Sequence, residues 1–66
     1  MITLIGTNAG LIWRVLNKSG RMNVKDLKKE TQIRTDKQLY AAIGWLAREE
    51  KINATEEAGE LYIWLR

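Results

Sequence analysis

Apolar residues in the middle of the chain recur with the spacing of an amphipathic helix. The residues that form this stripe are Leu39, Ala42, Ile43 and Leu46. A three-and-four spacing of this kind turns one side of a helix toward a core. Thr35 precedes the stretch and, with Gln38 three residues later, fits a capping box. The pattern therefore predicts a helix that begins after Thr35 and ends near Arg48.

Two shorter helical patterns precede this one. The first covers about residues 9–18, with Thr7 or Asn8 as its N-cap. Its predicted inner residues are Ala9, Ile12, Val15 and Leu16. The second covers about residues 24–31 and follows Asn23, a favoured N-cap residue.

Extended patterns occupy both ends of the chain. Residues 1–6 contain threonine and isoleucine, which favour extended structure, and they predict a short strand or an extended arm. Beyond the third helix the apolar period changes to two, which predicts short strands at residues 52–54 and 60–65. Residues 56–59 form the predicted turn between them, in which Gly59 can supply a positive φ.

These elements predict a single winged helix-turn-helix domain of the α+β class over residues 1–66. Three helices are followed by a C-terminal β-hairpin, the wing, and a short N-terminal strand or arm precedes them. A chain of 66 residues has no room for a second core and buries only about 60% of its unfolded surface. We expect a homodimer, because oligomerisation commonly supports so small a core.

The composition excludes most catalytic chemistry and the ordinary metal sites. The chain contains no histidine and no cysteine, so it cannot form a Ser-His-Asp or Cys-His arrangement or a zinc site of the usual type. It contains no glycine-rich phosphate loop. We therefore predict a protein that is not an enzyme and that has no cofactor, no metal and no small-molecule substrate.

Basic residues concentrate in the part of the chain that would meet DNA. Residues 14–37 hold eight basic and three acidic side chains, whereas residues 48–66 hold three basic and five acidic ones. In this architecture the N-terminal end of the third helix enters the major groove. Arg34 and Gln38 are the predicted base readers, because arginine can pair with guanine and glutamine with adenine. The full predicted DNA-binding set is Arg34, Thr35, Lys37, Gln38, Tyr40, Ala41, Arg48, Lys25, Lys28 and Lys29. The alternative interpretation is a helix surface that lysines merely solvate.

The predicted wing is acidic, which favours a protein partner over DNA. Glu56, Glu57 and Glu60 would repel phosphates if the wing lay along a groove. Either the tip of the wing points away from DNA, or the domain binds protein instead.

Aromatic residues predict a dimer interface. The last strand has apolar residues on both faces, so its second face needs a cover, which the N-terminal arm or another copy of the protein could supply. Trp13, Tyr62 and Trp64 form the predicted interface, because exposed aromatic side chains are enriched where proteins meet. Trp45, by contrast, is expected in the core beside Leu46.

Two segments resemble a known family. They are NAGLIW at residues 8–13 and LYAAIGWLAREEKI at residues 39–52, and GWLARE at residues 44–49 is their most specific part. The chain resembles a family of small bacterial winged helix-turn-helix domains of unknown function, over nearly its whole length. The resemblance implies a winged-helix fold, a homodimer and a role in binding DNA.

The leading functional hypothesis is a homodimeric, transcription-regulator-like protein that binds double-stranded DNA. The alternative is a winged helix that binds a protein partner and no DNA. We predict a cytoplasmic protein with no membrane partner. Arg14 follows the first apolar run instead of preceding it, no run is long enough to span a bilayer, and cysteine is absent.

Overall fold

The computed structural model describes residues 2–66, which form three helices and a three-stranded antiparallel sheet. The helices are α1 (Ile2–Ser19), α2 (Val24–Thr31) and α3 (Asp36–Arg48). The strands are β1 (Met22–Asn23), β2 (Ile52–Glu57) and β3 (Glu60–Leu65). β3 lies between the other two strands, and the β2–β3 hairpin is the wing. This is the winged helix-turn-helix architecture of the α+β class that the sequence predicts.

Helix α1 begins earlier than the sequence pattern predicts. The prediction of a strand or arm over residues 1–6 is wrong for residues 2–6, which are helical, and residue 1 lies outside the described part of the chain. Thr7 and Asn8 are therefore interior helical residues and not N-caps. Asn8 and Ala9 are both buried, because α1 packs mainly against α3. This packing overrides the weak extended preference of the first residues. Within residues 2–66 no helix has both the length and the apolar character that crossing a membrane requires.

The N-caps predicted for α2 and α3 are confirmed. The Asn23 side chain accepts a hydrogen bond from the Lys25 backbone N–H at 2.7 Å, and the Thr35 hydroxyl accepts one from the Gln38 backbone N–H at 3.1 Å. Each bond satisfies a donor that the first turn of a helix leaves free. Gln32 ends α2 in the left-handed region with φ 59°. The chain therefore turns sharply between the two helices.

Strand β1 is an element that the sequence pattern does not predict. Met22 pairs with Ile63, and Asn23 pairs with Tyr62. Gly20, with φ 77°, follows the last residue of α1, as predicted. Asn23 is thus both a strand residue and the N-cap of α2, which joins the sheet directly to that helix.

The wing is longer than predicted and its turn is tighter. Glu57 at the end of β2 pairs with Glu60 at the start of β3, so only Ala58 and Gly59 form the turn. Their φ values are 52° and 79°. Two positive values are what a two-residue type I′ turn requires. The prediction for Gly59 is confirmed, and Ala58 adopts a conformation that costs an L-residue about 1–2 kcal/mol.

One buried cluster joins the helices to the wing. Its members are Ala9, Ile12, Leu16, Val24, Leu27, Ile33, Leu39, Ala42, Ile43, Leu46, Ile52 and Ile63. The predicted stripe of α3 is buried in full. The prediction that Trp45 belongs to this core is wrong, since its side chain is 39% exposed. Successive helical residues point about 100° apart, and Trp45 projects from the edge of the stripe instead of its centre.

We predict that Ala58→Gly stabilises the protein by about 0.5–1 kcal/mol, because glycine adopts a positive φ without the steric cost that alanine has. Urea denaturation would measure the free energy of unfolding. The matched control is Ala41→Gly at an exposed position in the middle of α3, where the same change should destabilise by about 0.5–1 kcal/mol. Changes of the same sign at both positions would contradict the assigned turn.

Candidate nucleic-acid interface

The turn before α3 and the outer side of α3 form the candidate interface. In this turn the Ile33 side chain is buried in the core, whereas the next two residues, Arg34 and Thr35, are exposed. The N-terminal part of α1 lies beside this end of α3, since Leu4 and Ile5 line one cleft together with Gln38. A helix N-terminus also attracts anions, because its free N–H groups carry partial positive charge.

The structure places nearly all of the predicted DNA-binding residues on the surface. On α3 and in its turn, the exposed residues of the set are Arg34, Thr35, Lys37, Tyr40, Ala41 and Arg48. Gln38 is half-buried, and its backbone N–H is bonded to the Thr35 hydroxyl. On α2, Lys25 and Lys29 are exposed and Lys28 is half-buried. The set therefore spans α2, the turn and one side of α3.

Two of the α2 lysines are ion-paired. Lys28 Nζ lies 2.8 Å from the Asp36 carboxylate, which links α2 to the first turn of α3. Lys25 Nζ lies 3.5 Å from the Glu60 carboxylate of the wing. Within residues 2–66, no ion pair engages the other basic members of the set, which are Lys29, Arg34, Lys37 and Arg48. These four cations remain available to phosphates.

The acidic wing is compensated by residues that are distant in the sequence. An Arg21 guanidinium nitrogen lies 2.8 Å from the Glu57 carboxylate. The Glu60 carboxylate pairs with Lys25 and accepts a hydrogen bond at 2.6 Å from the Asn23 side-chain amide. Of the three wing glutamates, Glu56 alone forms no ion pair within residues 2–66. The wing therefore repels phosphates less than its sequence suggests.

The predicted aromatic interface is divided between two surfaces. Tyr62 and Trp64 alternate with the buried Ile63 and so lie on the sheet face turned away from the core. Trp13 lies on α1 and lines a groove together with Trp45 of α3. A role in dimerisation remains a prediction for each of these residues.

Arg21 covers the outer face of the sheet. Its guanidinium carbon lies 4.6 Å from the centre of the Tyr62 ring and 5.8 Å from that of Trp64, so the cation stacks on both rings. The cover expected from an N-terminal arm or a second copy is thus supplied in part by this side chain. The sequence pattern did not single out Arg21, because its partners in β3 follow about 40 positions later.

The chain matches the family model described as "Winged helix-turn-helix domain (DUF2582)" over residues 1–65, and it belongs to this family. The predicted resemblance is thereby confirmed. A similar solved structure is the solution NMR structure of protein BT2368 from Bacteroides thetaiotaomicron, with 28% sequence identity and a TM-score of 0.84. The match covers 96% of this chain and 76% of that one. No curated protein matches the chain.

We predict that Arg21→Ala destabilises the protein by about 1 kcal/mol, because it removes both the stacking on the rings and the ion pair with Glu57. Arg21→Lys keeps a cation but not the planar group that stacks, and it should recover only part of the loss. Urea denaturation would measure the free energy of unfolding of the unmodified protein and of both variants. Full recovery by lysine would contradict the stacking contribution.

Proposed function

We propose that this winged helix-turn-helix protein binds double-stranded DNA as a small homodimer, with α3 in the major groove. The observation that carries the proposal is that Arg34 and Lys37, which flank the start of α3, are exposed and form no ion pair within residues 2–66. Lys29 of α2 is a further exposed cation that forms no ion pair in that part of the chain. Phosphate contacts of this kind dominate the affinity of proteins for DNA.

Different residues of the interface have different proposed roles. Arg34 and Gln38 are the base readers, since Arg34 lies in the turn before α3 and Gln38 in its first turn, at the end of the helix that enters a groove first. Lys29, Lys37 and Arg48 hold phosphates. Tyr40 is 50% exposed and supplies an apolar surface with a hydroxyl group. Such a division, with phosphate contacts positioning the protein and base contacts selecting the sequence, is general among DNA-binding proteins.

A second candidate function is binding to a protein partner without DNA. The observation that favours it is the exposure of Trp13 and Trp45, which are 41% and 39% accessible on neighbouring helices. Exposed aromatic groups of this size are enriched at protein interfaces. A titration with double-stranded DNA distinguishes the two candidates, because a module that binds only protein should not bind a DNA duplex even at low salt.

We predict that Lys29→Ala and Lys37→Ala each weaken binding to duplexes of all sequences alike and lower the slope of log affinity against log salt by about 1. Fluorescence anisotropy titrations of a random duplex at several salt concentrations would measure both quantities. The control is Lys18→Ala, an exposed lysine in the last turn of α1 outside the candidate interface. Equal losses from the control, or no binding by the unmodified protein at low salt, would contradict the proposal.

We predict that Asp36→Asn strengthens binding to random duplex and steepens the salt dependence by about 1, because it frees Lys28 and removes an anion from the first turn of α3. The matched control is Asp26→Asn, which makes the same change in the first turn of α2. Asp26 forms no ion pair within residues 2–66. The same gain from both variants would show a general effect of net charge and not release of Lys28.

A further inference from the structure

A cleft of ≈ 340 Å³ lies between the N-terminal part of α1 and the start of α3. Leu4 and Ile5 of α1 and Ala41 of α3 supply its apolar walls. Leu4 is 41% exposed, so much of this large apolar side chain is uncovered. Sites for small molecules are concave and mostly apolar, and they contain a few polar groups that orient the ligand. The size and walls of the cleft fit such a site, and its polar groups indicate which ligand it would take.

Asn8 contributes a buried polar side chain without a protein partner. The residue is only 7% exposed and lines the cleft from the interior of α1. Its side-chain amide forms no hydrogen bond within residues 2–66. Every fully buried side-chain nitrogen or oxygen of the described chain has a partner, so the Asn8 amide keeps a small accessible surface, which faces the cleft. A buried amide without a partner costs free energy, which a ligand that hydrogen-bonds to it would recover.

The opposite end of the cleft is positive. Lys37 is the one charged residue among those that line it, and this exposed side chain forms no ion pair within residues 2–66. Lys37 belongs to the first turn of α3, where free backbone N–H groups add partial positive charge. Gln38 also lines the cleft, and its side-chain amide forms no hydrogen bond in the same part of the chain. An anionic group therefore fits this end.

We propose that the cleft binds a small aliphatic carboxylic acid that has a hydroxyl group at the far end of its chain. The carboxylate pairs with Lys37 at the start of α3, and the hydrocarbon chain lies against Leu4 and Ile5. The hydroxyl group bonds to the Asn8 amide, which can both donate and accept a hydrogen bond. Asn8 is buried and Lys37 is exposed, so the hydroxyl end enters the cleft first.

Three compounds of equal chain length test the ligand class. The probe is ω-hydroxyhexanoate, hexanoate lacks the hydroxyl group, and ω-hydroxyhexanamide lacks the charge. Titrations of the nitrogen-labelled protein, followed by NMR, should show shifts of the side-chain amide signals of Asn8 and Gln38. The probe should bind at least about threefold more tightly than either of the other compounds. Absence of binding, or equal affinity for all three compounds, would overturn the proposal.

Two variants separate the polar contacts. Asn8→Ala should weaken binding of the probe at least about threefold and leave the affinity for hexanoate unchanged. Lys37→Met should weaken binding of both acids at least about threefold and leave the affinity for the uncharged compound unchanged. The matched controls are Thr7→Ala and Lys18→Met, exposed positions of α1 that do not line the cleft, and both should bind like the unmodified protein. Equal losses for the probe and hexanoate in Asn8→Ala would overturn the assigned contact.

Stability gives a second readout for Asn8. Asn8→Ala should raise the midpoint of urea denaturation, because alanine favours the helix and the change removes a buried amide without a partner. A loss of probe binding in this variant then cannot arise from unfolding. A lowered midpoint would show that the amide supports the fold, and it would overturn the assignment of Asn8 to the ligand.

The cleft shares Lys37 and Gln38 with the candidate nucleic-acid interface, so a bound acid would compete with DNA. This consequence rests on the proposed function, whereas the binding site does not. Saturating ω-hydroxyhexanoate should weaken duplex binding at least about threefold, and Asn8→Ala should need at least about threefold more of it for the same effect. Unchanged duplex affinity would overturn the competition. The binding titrations contain no DNA, so failure of the site is distinguishable from failure of DNA binding.

Discussion

The short pairing of β1 with β3 sets the position of the wing relative to the helices. It joins residues 22–23 to residues 62–63 and places Ile63, which is fully buried, between β1 and β2. A shift of one residue in this register would turn Ile63 outward and expose the centre of the core. It would also displace Asn23, which caps α2 and donates to Glu60 at 2.6 Å. The start of α2, and the α2–α3 turn after it, therefore depend on a two-residue strand.

The sequence predicted the features that arise from local interactions. Asn23 and Thr35 cap their helices through bonds to residues two or three positions away, and Gly59 meets a local requirement of the turn. Strand β1 and the early start of α1 are not visible in a short window of sequence, because pairing with β3 and packing against α3 produce them. The exposure of Trp45 has a different cause. Trp45 differs from its neighbour Leu46 in both direction and burial, because residues next to each other in a helix point about 100° apart.

Charge counts along the chain misrepresent the candidate interface, because ion pairs between elements redistribute the charges. Each pair is partly exposed, and such pairs contribute at most about 1 kcal/mol to stability. Their larger effect is to decide which cations are free to meet a phosphate. Ion pairs engage two of the three glutamates of the wing and two of the three lysines of α2. The positive side chains at the start of α3, Arg34 and Lys37, form no ion pair within residues 2–66. The three pairs responsible are Arg21–Glu57, Lys25–Glu60 and Lys28–Asp36.

The proposed roles of the cations along α3 follow from the length of that helix. Its 13 residues span about 20 Å at 1.5 Å per residue. Arg34 and Lys37 therefore lie at one end of the candidate interface and Arg48 at the other. Phosphate contacts at both ends would fix the orientation of the helix, while base contacts are confined to the end that enters a groove first. The anion at that end, Asp36, is paired with Lys28, so it opposes such contacts less than an unpaired carboxylate would.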